Sequence, residues 1–172
     1  MIPTITTERL VLRPPKPKDE RQLIWIMVDD EVTRYLQWPP YRDLTEVSTY
    51  LLKGLKMAKA GLGHLWIIER EKEVLGTFSV RYEQRHAAVF GGFLGRQCWR
   101  QGYGIEIGTS VLAWLQQDPG IYRVSCQADV RNEAIAALVP KLGLTYEGRL
   151  GRAWPGHDTE EPRDVYQWAW TR

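Results

Sequence analysis

Cysteine is scarce in this chain. Cys98 and Cys126 are the only two, and they show neither a CxxC pair nor a Cys/His spacing suited to a metal. His64, His86 and His157 are equally scattered, so no metal site is expected. An excess of one charge is also lacking: 23 basic residues face 21 acidic ones and are interspersed with them, which argues against a nucleic-acid binder. No stretch approaches the roughly 20 apolar residues of a membrane span. The start, "MIPTITTERLVLRP", has no signal-peptide apolar core, so a reducing cytoplasm is the expected setting. Repeats and low-complexity linkers are missing as well.

What remains is 172 residues with 44% hydrophobic content, which predicts one domain over 1–172 with a sizeable core. Strand and helix patterns alternate irregularly, giving a mixed α/β (α+β) expectation. "RLVLRP" reads as a short strand, and Pro17, Asp19 and Glu20 open a helix through "RQLIWIMV" with Leu23, Ile24, Ile26 and Met27 on its apolar face. Asp43 and Glu46 have capping-box spacing ahead of a second helix that stops at Gly61. "HLWIIERE", "EVLGTFSVRYE" and "AAVFGGFL" form an antiparallel meander in this reading. A third helix begins near Gly104, then come strand "YRVSCQADV", a helix from Asn132 to Leu142 bent by Pro140, and strands "TYEGRLGRAW" and "RDVYQWAWT". Trp25, Trp66 and Trp114 fall in apolar-patterned elements and are expected in the core.

The stretch "WRQGYGIEIG" carries the chemistry. Gly102, Gly104 and Gly108 surround the start of the third helix, where unpaired N–H groups and a partial positive charge can receive a phosphate, and Arg100 adds a full charge. A tight strand-to-helix turn is the other reading of the same glycines. A P-loop is excluded because no Lys-Ser or Lys-Thr pair follows. A dinucleotide fingerprint fits poorly, since the third glycine comes one residue late and too few elements follow Asp129.

These residues resemble a known family. "WRQGYGIE" is similar to the [QR]-x-x-G-x-[GA] acyl-CoA signature of the GNAT superfamily of N-acetyltransferases, and "TERLVLRPPKPKD", "EVLGTFSV", "DVRNEAIAALVPKLGLTYEGRLGRAW" and "PRDVYQWAW" resemble its RimJ/RimL-like branch. The resemblance implies a mostly antiparallel sheet of about seven strands with about four helices, splayed between the fourth and fifth strands. It implies acetyl transfer from acetyl-CoA, without a metal, to a primary amine on a small molecule or a protein N-terminus. The pyrophosphate would sit on Arg100, Gln101, Gly102, Tyr103, Gly104 and Ile105, the pantetheine along Phe93 and Leu94, and Asn132 would contact CoA. Asn132 also fits an ordinary helix N-cap.

Departures from the family pattern are plain. Ile135 stands where relatives carry a serine after the asparagine, and Val89 stands where they often carry a carboxylate. Glu83 is the preferred candidate for the general base, with His86 beside it. Trp38, Tyr41 and Trp154 lie in loops that would border the acceptor cleft in the resembled fold. A homodimer is compatible with all of this. The alternative function is a catalytically idle acyl-CoA-binding or peptide-binding module of the same fold.

Overall fold

The three-strand meander read from the sequence is the centre of a single eight-stranded sheet. A computed structural model describes residues 2–158 and 161–172. The strands are β1 (Ile5–Thr6), β2 (Val11–Arg13), β3 (Gly63–Arg70), β4 (Glu73–Gln84), β5 (Ala87–Leu94), β6 (Arg123–Asp129), β7 (Thr145–Trp154) and β8 (Arg163–Thr171). Their order is β1-β2-β3-β4-β5-β6-β8-β7, and every pairing is antiparallel except β5 with β6. The helices are α1 (Glu20–Met27), α2 (Asp30–Thr33), α3 (Leu44–Lys59), α4 (Tyr103–Gln116) and α5 (Glu133–Leu138). The two elements beyond the sequence expectation, β1 and α2, span two and four residues, too short to show a hydrophobic period.

Each face of the sheet buries its own core. On one, α4 and the turn after α5 cover Trp66, Ile68, Val80, Phe90, Val124 and Trp168 with Tyr103, Ile107, Val111 and Leu142. On the other, α1 and α3 set Leu23, Ile26, Met27, Val47 and Leu51 against Leu65, Ile67 and Val74. Strand alternation allots the side chains, so Val80 and Phe90 face α4 while Phe93 faces α3. Trp66 is fully buried and Trp114 packs on the same core. Trp25 corrects the sequence expectation: it is 78% exposed, because the buried stripe of α1 is Leu23, Ile26 and Met27 and residue 25 points away from it.

Local signals hold where a side chain can act on the neighbouring backbone. Asp43 Oδ1 accepts from Glu46 N (3.0 Å), while the Glu46 carboxylate accepts from Arg42 N, one residue ahead of the N-cap. Pro140 does more than bend the last helix. The α-helix stops at Leu138, and a 3-10 turn over Val139–Leu142 continues to Gly143, which is left-handed at φ +84°.

Candidate active site

The two middle strands part company halfway along. β5 and β6 are paired only at Ala87 with Arg123, Ala88 with Val124 and Val89 with Ser125, leaving Phe90–Leu94 without a partner on that side. Gly95 N donates to Leu75 O (2.9 Å), and antiparallel alternation then turns the Phe93 and Gly91 backbones towards β4 and those of Gly92 and Leu94 towards the gap. Phe93 therefore pairs its backbone with Thr77 and sets its ring on the α3 face of the sheet, against Trp38 and Tyr50. The Leu94 carbonyl is taken by the indole N–H of Trp99 (2.9 Å), which leaves its amide on the open edge. Gly91 was not singled out in the sequence, yet a Cβ placed there would meet nothing within 4 Å, so the sheet face is open at that point. The "GG" doublet was its only signal.

The open edge runs directly into the glycine turn. Arg100 and Gly102 both take left-handed backbone conformations, at φ +60° and +81°, and Gly102 is the N-cap residue of α4 with no side chain to cap it. Its carbonyl accepts the first helical bond, from Glu106 N (3.1 Å), while the amides of the first turn point out of the helix end. The three glycines have different reasons. Gly102 satisfies backbone conformation, whereas a Cβ on Gly104 would lie 2.6 Å from Leu138 Cδ1 and one on Gly108 2.5 Å from Leu142 Cδ1. Gly104 and Gly108 thus let α4 approach the closing helix, a packing role that the phosphate reading had not separated from ligand access.

Arg9 is a neighbour of this turn that the sequence reading missed. Its guanidinium stacks 4.5 Å over the Tyr103 ring, donates to Gln101 O (3.0 Å) and pairs with Glu106 (2.7 Å). Burial pushes the Glu106 carboxyl up, but hydrogen bonds from Thr7 and Arg9 outweigh it and hold the group below its usual range. Arg9 sits more than ninety residues before the motif, and only the β1–β2 turn brings it there.

Asn132 lies at the far end of β6, where its side chain accepts from Ile135 N (3.2 Å) as the N-cap of α5. Asn132→Ala is expected to cost about 1 kcal/mol by chemical denaturation. A loss of acetyl-CoA affinity beyond twofold in the same variant would assign it a ligand contact as well.

Trp38, Tyr41 and Trp154 flank the gap from two sides. Trp38 lies 4.7 Å from Tyr41 and 5.5 Å from Phe93, and Tyr50, unmarked in the sequence, joins them at 6.4 Å from Phe93. The Tyr50 hydroxyl sits 2.8 Å from Thr77 Oγ1, and burial pushes its pKa up, so it stays protonated at any ordinary pH. Trp154 anchors on the other arm, donating its indole N–H to Gln127 Oε1 on β6 (3.2 Å). Gln127 in turn donates to Gln167, which donates to a Glu147 carboxylate held at about 2 by Arg123.

Glu83 is not brought to the open section. It lies in a bulge between Tyr82 and Gln84, level with Ala87 and Ala88, where β5 and β6 are still paired. It is half-exposed and faces Arg81 at 3.3 Å, and His86 sits in the same hairpin. Both cysteine thiols are buried, and burial pushes that of Cys126 up to about 12. Among the described residues no group of three or more His, Cys, Asp or Glu could hold a metal, and no helix is long and apolar enough to cross a membrane.

Comparison with known proteins agrees with this geometry. The chain is 26% identical over 170 residues to the uncharacterized N-acetyltransferase YoaA of Bacillus subtilis, covering 96% of each chain. The acetyltransferase from Salmonella typhimurium described as modifying the N-terminal serine of ribosomal protein L7/L12 superposes with a TM-score of 0.87 at 18% identity, over 99% of both chains. RimJ of Mycobacterium smegmatis, in complex with CoA-disulfide, gives 0.88 at 17% identity over 98% of this chain and 87% of that one. Residues 9–145 match the family model described as the acetyltransferase (GNAT) domain, a span that holds the glycine turn, both splayed strands and Asn132. That match spans well over half of the sequence, and the chain belongs to the GNAT acetyltransferases.

Proposed function

We propose that this chain moves the acetyl group of acetyl-CoA directly onto a primary amine, either a protein N-terminus or a small-molecule amine, in the gap between β5 and β6. The opening of those strands after Val89 and Ser125 carries the reading. Its free edge at Gly92 and Leu94 suits an extended pantetheine that pairs as an added strand would, and the α4 N-terminus suits the pyrophosphate. That RimJ of the same fold was solved with a CoA-disulfide supports CoA as the donor. Acetyl-CoA at a hundredfold excess over its dissociation constant is expected to stabilise the fold by about 2.7 kcal/mol, and NAD is expected to leave the melting temperature unchanged. Equal shifts from the two would sink the assignment.

The acceptor enters between Trp38 and Tyr41, whose rings form an apolar wall on the β5 side, and Trp154, which hydrogen-bonds Gln127 on the polar β6 side. Two buried thiols offer no thiolate for an acyl-enzyme, which favours direct attack by the amine. Acyl transfer of this kind can run on positioning and on stabilisation of the oxyanion. Since Glu83 stands beyond the junction of the strands, the amine loses its proton to solvent before attack. The expected result is that Glu83→Gln keeps turnover within a few fold of wild type. Both proteins should show kcat/KM rising with pH until the amine is fully neutral. A drop of roughly 10²-fold at neutral pH, with acetyl-CoA affinity intact, would return the base role to Glu83.

The acceptor class is tested by release of CoA thiol across a panel of amines and N-terminal peptides, with acetyl-CoA hydrolysis as background. Acetyl-CoA binding without acceleration by any amine would favour the idle binding module instead. The Salmonella relative's action on an N-terminal serine makes a seryl peptide the first to try.

A further inference from the structure

Residues far apart in sequence meet on one buried guanidinium at the edge of the gap. Arg163 opens β8 and is 5% exposed. Its Nη1 lies 3.1 Å from the carbonyl oxygens of both Arg34 and Leu36 and 3.3 Å from Asp129 Oδ2. Its Nη2 faces Asp158 at 2.6 Å. Asp129 ends the splayed strand β6 and also receives Arg131 at 2.7 Å, while Arg131 stacks 5.8 Å over the Tyr35 ring. His157 Nε2 sits 3.1 Å from Thr33 O. Residues 33–36 are therefore held to the β6 and β8 side of the molecule.

The same segment crosses to the other arm. Two residues beyond Leu36, Trp38 packs on Phe93 of β5, and Tyr41 N donates to Met27 O (2.9 Å). Backbone 33–41 is thus a strap: at one end its carbonyls are held by Arg163 of β8, which pairs with Asp129 at the end of β6, and at the other its rings pack on Phe93 of β5. Two arginines balance two aspartates at the fastened end, so no charge is left buried alone. A buried carbonyl must find a donor, and the planar guanidinium supplies several in fixed directions, which a lysine ammonium does not.

We propose that Arg163 is a positioning residue for the acceptor: through the Arg34 and Leu36 carbonyls it sets where Trp38 and Tyr41 stand over the gap, without acting on acetyl-CoA. The proposal rests on the reading above that these two rings wall the acceptor side. A residue serving stability alone would weaken every element together. A positioning residue separates the acceptor from the donor.

The test compares wild type with Arg163→Met and Arg163→Lys, using phenethylamine and a seryl pentapeptide as acceptor probes. In the free protein, amide exchange over residues 33–41 is expected to quicken at least tenfold in Arg163→Met while β3, β4 and α4 keep their protection. The acetyl-CoA dissociation constant stays within twofold. KM for the accepted probe rises tenfold or more with kcat within about threefold, and Arg163→Lys recovers thermal stability but not the acceptor KM. Unchanged exchange over 33–41 in a folded variant overturns the proposal, as does an acetyl-CoA affinity that falls in step with the acceptor KM. If Arg163→Met fails to fold, Arg163→Lys carries the same comparison, and a wild-type acceptor KM in it overturns the proposal. Failure of wild type to acetylate any amine of the wider panel would instead sink the functional reading, and the exchange result on the free protein is independent of that outcome.

Discussion

Gly102→Val is expected to weaken acetyl-CoA binding by a hundredfold or more while the protein stays folded. Backbone strain carries the effect. Gly102 sits at φ +81°, where a β-branched residue is a genuine outlier and costs on the order of 1–3 kcal/mol, so the turn shifts to relieve the strain. A Cβ there would make only ordinary contact, 3.4 Å from Arg9 Nη2, so the backbone strain is what moves the turn. The displaced turn is the one proposed to receive the pyrophosphate on its amides, so binding is expected to suffer more than the core, which begins at Tyr103 and Ile107. Calorimetric titration with acetyl-CoA and far-UV circular dichroism on the same sample check both halves. A variant that folds and binds acetyl-CoA normally would place the phosphate elsewhere. Gly104→Ala is a useful contrast, because its added methyl meets Leu138 and its cost should appear in stability first.

The largest stability effect is expected at the other end of the sheet. Arg13 on β2 grips Asp19 with two bonds of 2.8 Å, pairs with Glu69 of β3 at 2.7 Å, and Asp19 also accepts from Lys16 N at 2.7 Å. Arg13 and Asp19 are both buried. Asp19→Ala should therefore cost about 3 kcal/mol, the low end for breaking a buried pair, because Glu69 still partners the arginine. For a chain of this size that corresponds to a melting temperature lower by roughly 6–12 °C. Burial pushes the Asp19 carboxyl up, yet the Arg13 and Lys16 hydrogen bonds outweigh it and leave the group below its ordinary value of 3.8. A depressed carboxylate stabilises the fold above its unfolded pKa, and that contribution disappears as pH falls through the folded one. The gap between wild type and Asp19→Ala should be full at neutral pH and narrow below about 4. A gap independent of pH would show that the ion pair is not its source.

Much of this architecture was legible before any coordinates. Periodicity located α1, α3 and α4 because each buries one face, and burial of a face forces a 3.6 repeat on the sequence, while the six long strands were marked by runs of β-branched and aromatic residues between turns. Caps at Asp43 and Asn132 and the stop at Gly143 were legible for a different reason: each acts on backbone within four residues. Trp25 was misread because an aromatic in an apolar run looks buried until the phase of the helix on its neighbours is known. The short elements β1 and α2 carried no period at all.

The site divides in the same way. The sequence by itself determined that a glycine turn opens a helix after a meander and that Trp38 and Tyr41 stand outside the helices and strands, whereas Trp154, expected in a loop, is the last residue of β7. Only the tertiary structure decided that β5 and β6 separate after Val89, that Gly104 and Gly108 belong to packing, and that Glu83 lies beyond the junction. The contacts of Arg9 with Glu106 and of Arg163 with the Arg34 and Leu36 carbonyls were likewise invisible, since they span about 90–130 residues of chain. Local interactions leave marks at fixed short spacings, whereas which strands part and which loops a guanidinium joins depend on register and chain crossing, and these leave no period to read.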